Sequence, residues 1–252
     1  VNVQNIPRDD KLVKAAFYPK QDALLFFDYK QIEPRLLGYY MAVACGDTRL
    51  ADGIKSGYDP YTTIVRGLYG KDDITDEERS HGKRLFLSLQ YGGGIKTVIA
   101  QWRVDYQTAK RMVDEFHAAW PSIRMLNDQI NRTVAERGFI RSITGRHLRP
   151  ESEHKAVNSL CQGSAAELMR RALVLADEFC GSQLLASHLV LTIHDELVFD
   201  CPQAEIPYLV EHIPALMDFP LVSQVVPIET DVEISFGSWA EKTSYEEVAL
   251  AA

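Results

Sequence analysis

The chain holds 252 residues, 46% of them hydrophobic and 25% charged, with a formal net charge of −8 at pH 7. Those proportions exclude a disordered or fibrous protein and allow either one large domain or a domain with an inserted subdomain. No run of about 18 apolar residues occurs, and the start, Val1-Asn2-Val3-Gln4-Asn5, lacks the regions of a secretory signal, so a cytoplasmic location without a membrane is expected.

Along the chain, the apolar run Ala23-Leu24-Leu25-Phe26-Phe27 ends at Asp28 and predicts a buried strand with an acid at its tip. A helix is expected from Pro34 through Val43. Thr75-Asp76-Glu77-Glu78 supplies a cap and early acids for a helix that Gly92-Gly93-Gly94 should break. Further helices are expected from Tyr106 to Trp120, from Ile123 to Glu136 and from Glu153 to roughly Glu178. His188 to Ile193 and Glu196 to Asp200 read as two strands around a tight His194-Asp195 turn, and Val225 to Ile234 as another. The expected class is α+β, a small, largely antiparallel sheet with packed helices and a helical insertion between Gly46 and roughly Arg137.

Cys45, Cys161, Cys180 and Cys201 are far apart and form no C-x-x-C pair, which speaks against a zinc knuckle or redox motif and for free thiols. The negative net charge would ordinarily count against nucleic acid. Arg and Lys nevertheless gather from Arg79 to Arg84, from Arg137 to Arg149 and at Arg170-Arg171, as phosphate contacts or as solvated helix faces.

Acids placed where apolar strands end need a partner if they are buried, and a cation can be that partner. Asp28 and the Asp195-Glu196 pair come from different strands, as magnesium sites built from one or two carboxylates and substrate phosphates require. Two such ions suit in-line phosphoryl transfer; taken singly, each acid reads better as a turn residue, and it is their combination that points to metal. On the helix from Asp76, the residues Arg79, Lys83, Leu87 and Tyr91 recur every fourth position and form one slowly winding stripe. Two cations one turn apart can grip a polyphosphate, with an aromatic beyond them to stack on a base; the alternative is a basic surface face followed by a core tyrosine.

Together these residues resemble the ordered motifs of the family A, or DNA polymerase I type, polymerases. Asp28-Tyr29-Lys30-Gln31-Ile32-Glu33-Pro34-Arg35 resembles motif A, D-Y-S-Q-I-E-L-R. Arg79 and Lys83 with Tyr91-Gly92 resemble motif B, and His194-Asp195-Glu196 resembles motif C. Gln4-Asn5-Ile6-Pro7 and the stretch from Glu153 through Glu167 resemble two further family segments, so the likeness spans nearly the whole chain.

The resemblance implies a right-hand polymerase palm at 1–45 and 138–252, with fingers at 46–137 that include the motif B helix 76–91. It implies that a thumb and any exonuclease domain are absent from this chain. Catalysis would fall to Asp28, Asp195, Lys83 and Glu196, with two Mg2+ ions on Asp28, Asp195 and the Tyr29 carbonyl. Arg79, Lys83, Leu87, Tyr91, Glu33 and Gln31 would meet the incoming deoxynucleoside triphosphate, Glu33 closing the pocket to a ribose 2′-hydroxyl. Gln162, Asn158, His194, Arg146, Gly92 and Tyr61 would meet primer-template DNA; further replication proteins are not specified.

Several positions depart from the family pattern. Leu87 stands where Phe or Tyr is usual, His154 replaces an Arg, Pro34 a Leu and Lys30 a Ser, and Tyr61 stands where a His is common. These departures resemble those of virus-encoded members, and none removes an implied metal ligand. The rival readings are a single-subunit RNA polymerase, an inert nucleic-acid-binding relative and a two-metal phosphodiesterase. Glu33 with Tyr91-Gly92 speaks against the first, intact Asp28, Lys83 and Asp195 against the second, and the Arg79-to-Tyr91 stripe against the third.

Overall fold

The structure, a computed structural model, describes Ile6, residues 10–152 and residues 155–251. Gln4, Asn5, Pro7, Glu153 and His154, which figured in the sequence reading, lie outside the described residues. In chain order the elements are α1 (Lys11–Lys14), β1 (Ala23–Tyr29), α2 (Ile32–Cys45), α3 (Arg49–Lys55), α4 (Pro60–Tyr69), α5 (Asp76–Gln90) and α6 (Ile95–Trp102). There follow α7 (Tyr106–Ala119), α8 (Ser122–Arg137), β2 (Ile140–Arg141), β3 (His147–Leu148) and α9 (Ala156–Ser182). The chain continues through β4 (His188–Ile193), β5 (Glu196–Cys201), α10 (Ile206–Met217), α11 (Pro220–Ser223), β6 (Thr230–Ser235), β7 (Thr243–Ser244) and α12 (Tyr245–Ala251).

The expected α+β class is found, with local differences. Asp28 lies inside β1, which continues to Tyr29, rather than at the strand's tip. Strand β6 begins at Thr230 rather than Val225, and Pro227, which has no N–H to give a ladder, lies in the stretch before it. Helix α2 starts before Pro34, which occupies the first turn, where a missing N–H removes no intrahelical bond.

The chain divides into two compact units. The first comprises residues 1–32, 165–223 and 228–252 and holds an antiparallel sheet of order β4-β5-β1-β6-β7. Central strand β1 is covered on both faces, as its nearly continuous apolar sequence requires. One face carries Leu25, Phe27 and Tyr29 with Phe199 and Ile234, all buried. Helix α10 packs against β1 and β6, and the Tyr29 hydroxyl donates to the Met217 carbonyl at 2.7 Å. The other face buries Leu24, Phe26 and Val198 with Trp239, whose ring stacks on Phe26 at 6.5 Å.

The second unit comprises residues 33–164 and 224–227. Its core is aromatic: Phe86 on α5 meets Tyr61 of α4 at 5.6 Å, Phe116 of α7 at 5.5 Å and Trp120 at 5.1 Å, each edge to face. Helix α5 opens on a capping box in which Thr75 and Glu78 exchange side-chain-to-backbone bonds. Its close neighbour α4 opens on Asp59, which caps the Tyr61 N–H, followed by Pro60 in the first turn.

Candidate active site

The predicted site residues fall into two groups, one in each unit. In the first unit, β1 pairs with β5 and β6, and directly opposed residues of antiparallel strands project to the same face. Asp28 therefore shares its face with Glu196 opposite it on β5 and Asp231 opposite it on β6. Glu233, two residues further along β6 and opposite Phe26, belongs to that face as well. Asp195 comes from the two-residue β4–β5 turn, where His194 takes the left-handed conformation, φ 55°, that such a turn demands. The Tyr29 N–H donates to the Asp195 carbonyl at 3.1 Å, which ties this turn to the end of β1. His194 is exposed, Asp195 half-buried and Glu196 buried.

Burial and crowding disfavour the charged form of an acid. Burial first, and then the charges of Asp195, Glu196 and Asp231, push the Asp28 carboxyl up to about 8, against the pull of Lys242. Burial raises Glu196 too, although Lys242 donates to it at 2.7 Å and favours its charged form. A set of hard oxygen donors with excess negative charge fits a hard divalent cation. Among the described residues no group of three or more His, Cys, Asp or Glu is arranged to hold a metal alone.

In the second unit the basic stripe of α5 is anchored on α4. Arg79 Nε donates to Asp59 Oδ2 at 2.6 Å, and the Arg79 guanidinium and Lys83 ammonium lie 5.5 and 5.9 Å from the centre of the Tyr61 ring. Tyr61 is buried beneath those cations, while Lys83 is exposed and Leu87 half-buried. Tyr91 closes α5, followed by exposed Gly92 at φ 83°. Its hydroxyl is buried close to Glu33 without a hydrogen bond of good geometry. Burial chiefly, then the neighbouring Cys161 and Glu33, raise its pKa. Asn158 Oδ1 and both amide atoms of Gln90 are likewise buried without a hydrogen-bond partner. Such orphaned atoms call for a polar ligand or water. Gln162 and Arg146 are exposed, Arg146 in the β2–β3 hairpin and Gln162 on α9. Gln31, half-buried in the first unit, has φ 51°.

Asp231, Glu233 and Lys242 escaped the sequence reading. The two acids alternate with Val232 and Ile234, a period-two signal that places them together on one face, but nothing in the local sequence says which strand that face adjoins.

The family model for DNA polymerase family A matches residues 1–241 of the chain. DNA polymerase I of Lactococcus lactis subsp. lactis is 27% identical over 95% of this chain and 29% of its own length. DNA polymerase I of Pseudomonas aeruginosa is 29% identical over 88% of this chain and 26% of its own length. The chain thus spans less than a third of these relatives. A solved structure, the POL domain of Pol1 from M. smegmatis in complex with DNA primer-template and dNTP, superposes with a TM-score of 0.81 at 25% identity, over 95% of this chain and 44% of that one. The chain belongs to the family A DNA polymerases.

Proposed function

We propose that the protein is a DNA-directed DNA polymerase that acts in the cytoplasm and extends a primer 3′-hydroxyl with deoxynucleoside triphosphates on a DNA template. The observation that carries this reading is the acid face of β1, where Asp28 lies opposite Glu196 and Asp231 with the Asp195 turn beside it, a set of oxygen donors that a divalent cation would fit. In this reading Asp28 and Asp195, with the Tyr29 carbonyl, hold two Mg2+ ions. Metal held by these residues would supply activation of the attacking hydroxyl and neutralisation of charge on the leaving phosphate.

The chain's own side chains do the rest. Arg79 and Lys83, poised on Tyr61, take the triphosphate, and Lys83 delivers a proton to the departing pyrophosphate. Leu87 offers its apolar surface, and Gln31 its amide, to the incoming nucleotide. Glu33 bounds the sugar, Tyr91 packs beside the nascent base pair and template, and Asn158, Gln162 and Gly92 face that pair and template. His194 stands by the primer end and Arg146 by the duplex backbone. The same reading makes residues 1–45 and 138–252 the palm and 46–137 the fingers.

The test is magnesium-dependent primer extension by the full-length protein, with deoxy- or ribonucleotides offered separately. Extension with deoxynucleotides only is expected. No extension by folded protein that still binds the primer overturns the proposal in favour of an inert DNA-binding relative. Glu33→Ala should admit ribonucleotides at least about ten-fold more readily, because it removes the carboxylate set against the 2′-hydroxyl. Unchanged ratios of kcat/KM for the two sugars would remove Glu33 from that role.

A further inference from the structure

Lys242 stands immediately before β7, which pairs with β6 through Thr243 and Ser244. Its ammonium donates to Glu196 Oε1 at 2.7 Å and reaches Glu233 Oε2 at 2.5 Å. Beneath it lies the Phe26 ring, 4.9 Å from ring centre to nitrogen, itself stacked on Trp239. Only 25% of the side chain is exposed, so the cation is held on three sides in a place of lowered dielectric. Glu196 is thereby committed to a partner, although it lies directly opposite Asp28 and next to Asp195.

We propose that Lys242 is a positioning residue that withholds Glu196 from the metal site, so that the metal is held by Asp28 and Asp195 without it. This rests on the reading of those two aspartates as metal ligands. A fixed ammonium satisfies Glu196 as a cation would. The metal is thus left with fewer protein oxygens, more water and more need of substrate phosphates. Weak binding in the absence of nucleotide follows, since affinity for hard cations tracks the number of charged ligands.

The experiment is Mn2+ binding to the full-length protein, followed by electron paramagnetic resonance without DNA or nucleotide. Wild type is compared with K242M, K242R, E196Q and K242M/E196Q, thermal melts confirm folding, and D28N/D195N marks the ions bound at the acid face. Lys242→Met, which keeps the stem over Phe26, should lower the Kd for Mn2+ by roughly three- to ten-fold as Glu196 joins the site. Lys242→Arg should restore wild-type affinity, and in the E196Q background the gain should vanish. A purely structural role predicts weaker binding instead. Unchanged or weaker binding in folded K242M, or an equal gain with E196Q present, overturns the inference while leaving the aspartates as ligands. Mn2+ binding indifferent to D28N/D195N overturns the metal reading itself, and this inference with it.

Discussion

Asp28→Asn is expected to lower primer extension by at least about 1,000-fold, and at the same time to make the metal-free protein more stable at pH 8 by about 1–3 kcal/mol. The two effects share one cause. In the folded chain the Asp28 carboxyl titrates at about 8 against an ordinary value of 3.8, mainly through burial and then through Asp195 and Glu196. Below pH ~4 folded and unfolded chains both hold the proton, and no penalty exists. Between pH ~4 and ~8 the unfolded chain has released a proton that the folded chain retains, so stability falls as pH rises; above ~8 the loss is complete. Asparagine has no charge to bury and escapes that loss, although its amide still needs partners, which keeps the gain modest. Magnesium should stabilise wild type by mass action and leave the variant nearly unmoved. Urea unfolding at pH 5, 6.5 and 8, with magnesium or with a chelator, measures each part. Wild-type stability that is flat or rising across that window would sink the electrostatic account, and an active Asn variant would sink the catalytic one.

How much of this was legible beforehand depends on the range over which each feature is set. Asp28 and the His194-Asp195 turn stood out because short apolar runs with an acid or a two-residue turn at their ends are local signals. Helix α5 announced itself through Thr75 and its acids. Helix α4 carried an equally local signal, the Asp59-Pro60 start with Tyr61, Ile64 and Val65 on one face, and could have been read. Helix α10 is harder, since Pro214 interrupts a helical pattern that tertiary packing on β1 and β6 sustains. Lys242 was beyond reach: its link to Glu196 spans 46 residues and depends on the register of three strands, which no spacing in the chain encodes. The orphaned hydroxyl of Tyr91 also appears only once α5 is packed.

Gly82→Ala, a change that helix propensity alone would favour by about 1 kcal/mol, is expected to destabilise the protein by about 2 kcal/mol or more. A β-carbon on Gly82 would lie 2.2 Å from the Tyr61 carbonyl oxygen and 2.5 Å from Val65 Cγ2. The valine methyl can turn aside, but the carbonyl belongs to the backbone of α4, so α4 and α5 must part. Their separation would also draw Asp59 away from Arg79 and Tyr61 from beneath both cations, because those contacts cross the same pair of helices. A raised KM for the incoming nucleotide should therefore accompany the lower melting temperature. Gly67→Ala on α4 is the matched control: a β-carbon there meets nothing within 4 Å, so propensity acts unopposed and stability should rise by up to about 1 kcal/mol. If both substitutions stabilise, α4 and α5 are not in the close contact described, and the anchoring of Arg79 and Lys83 on Tyr61 falls with it.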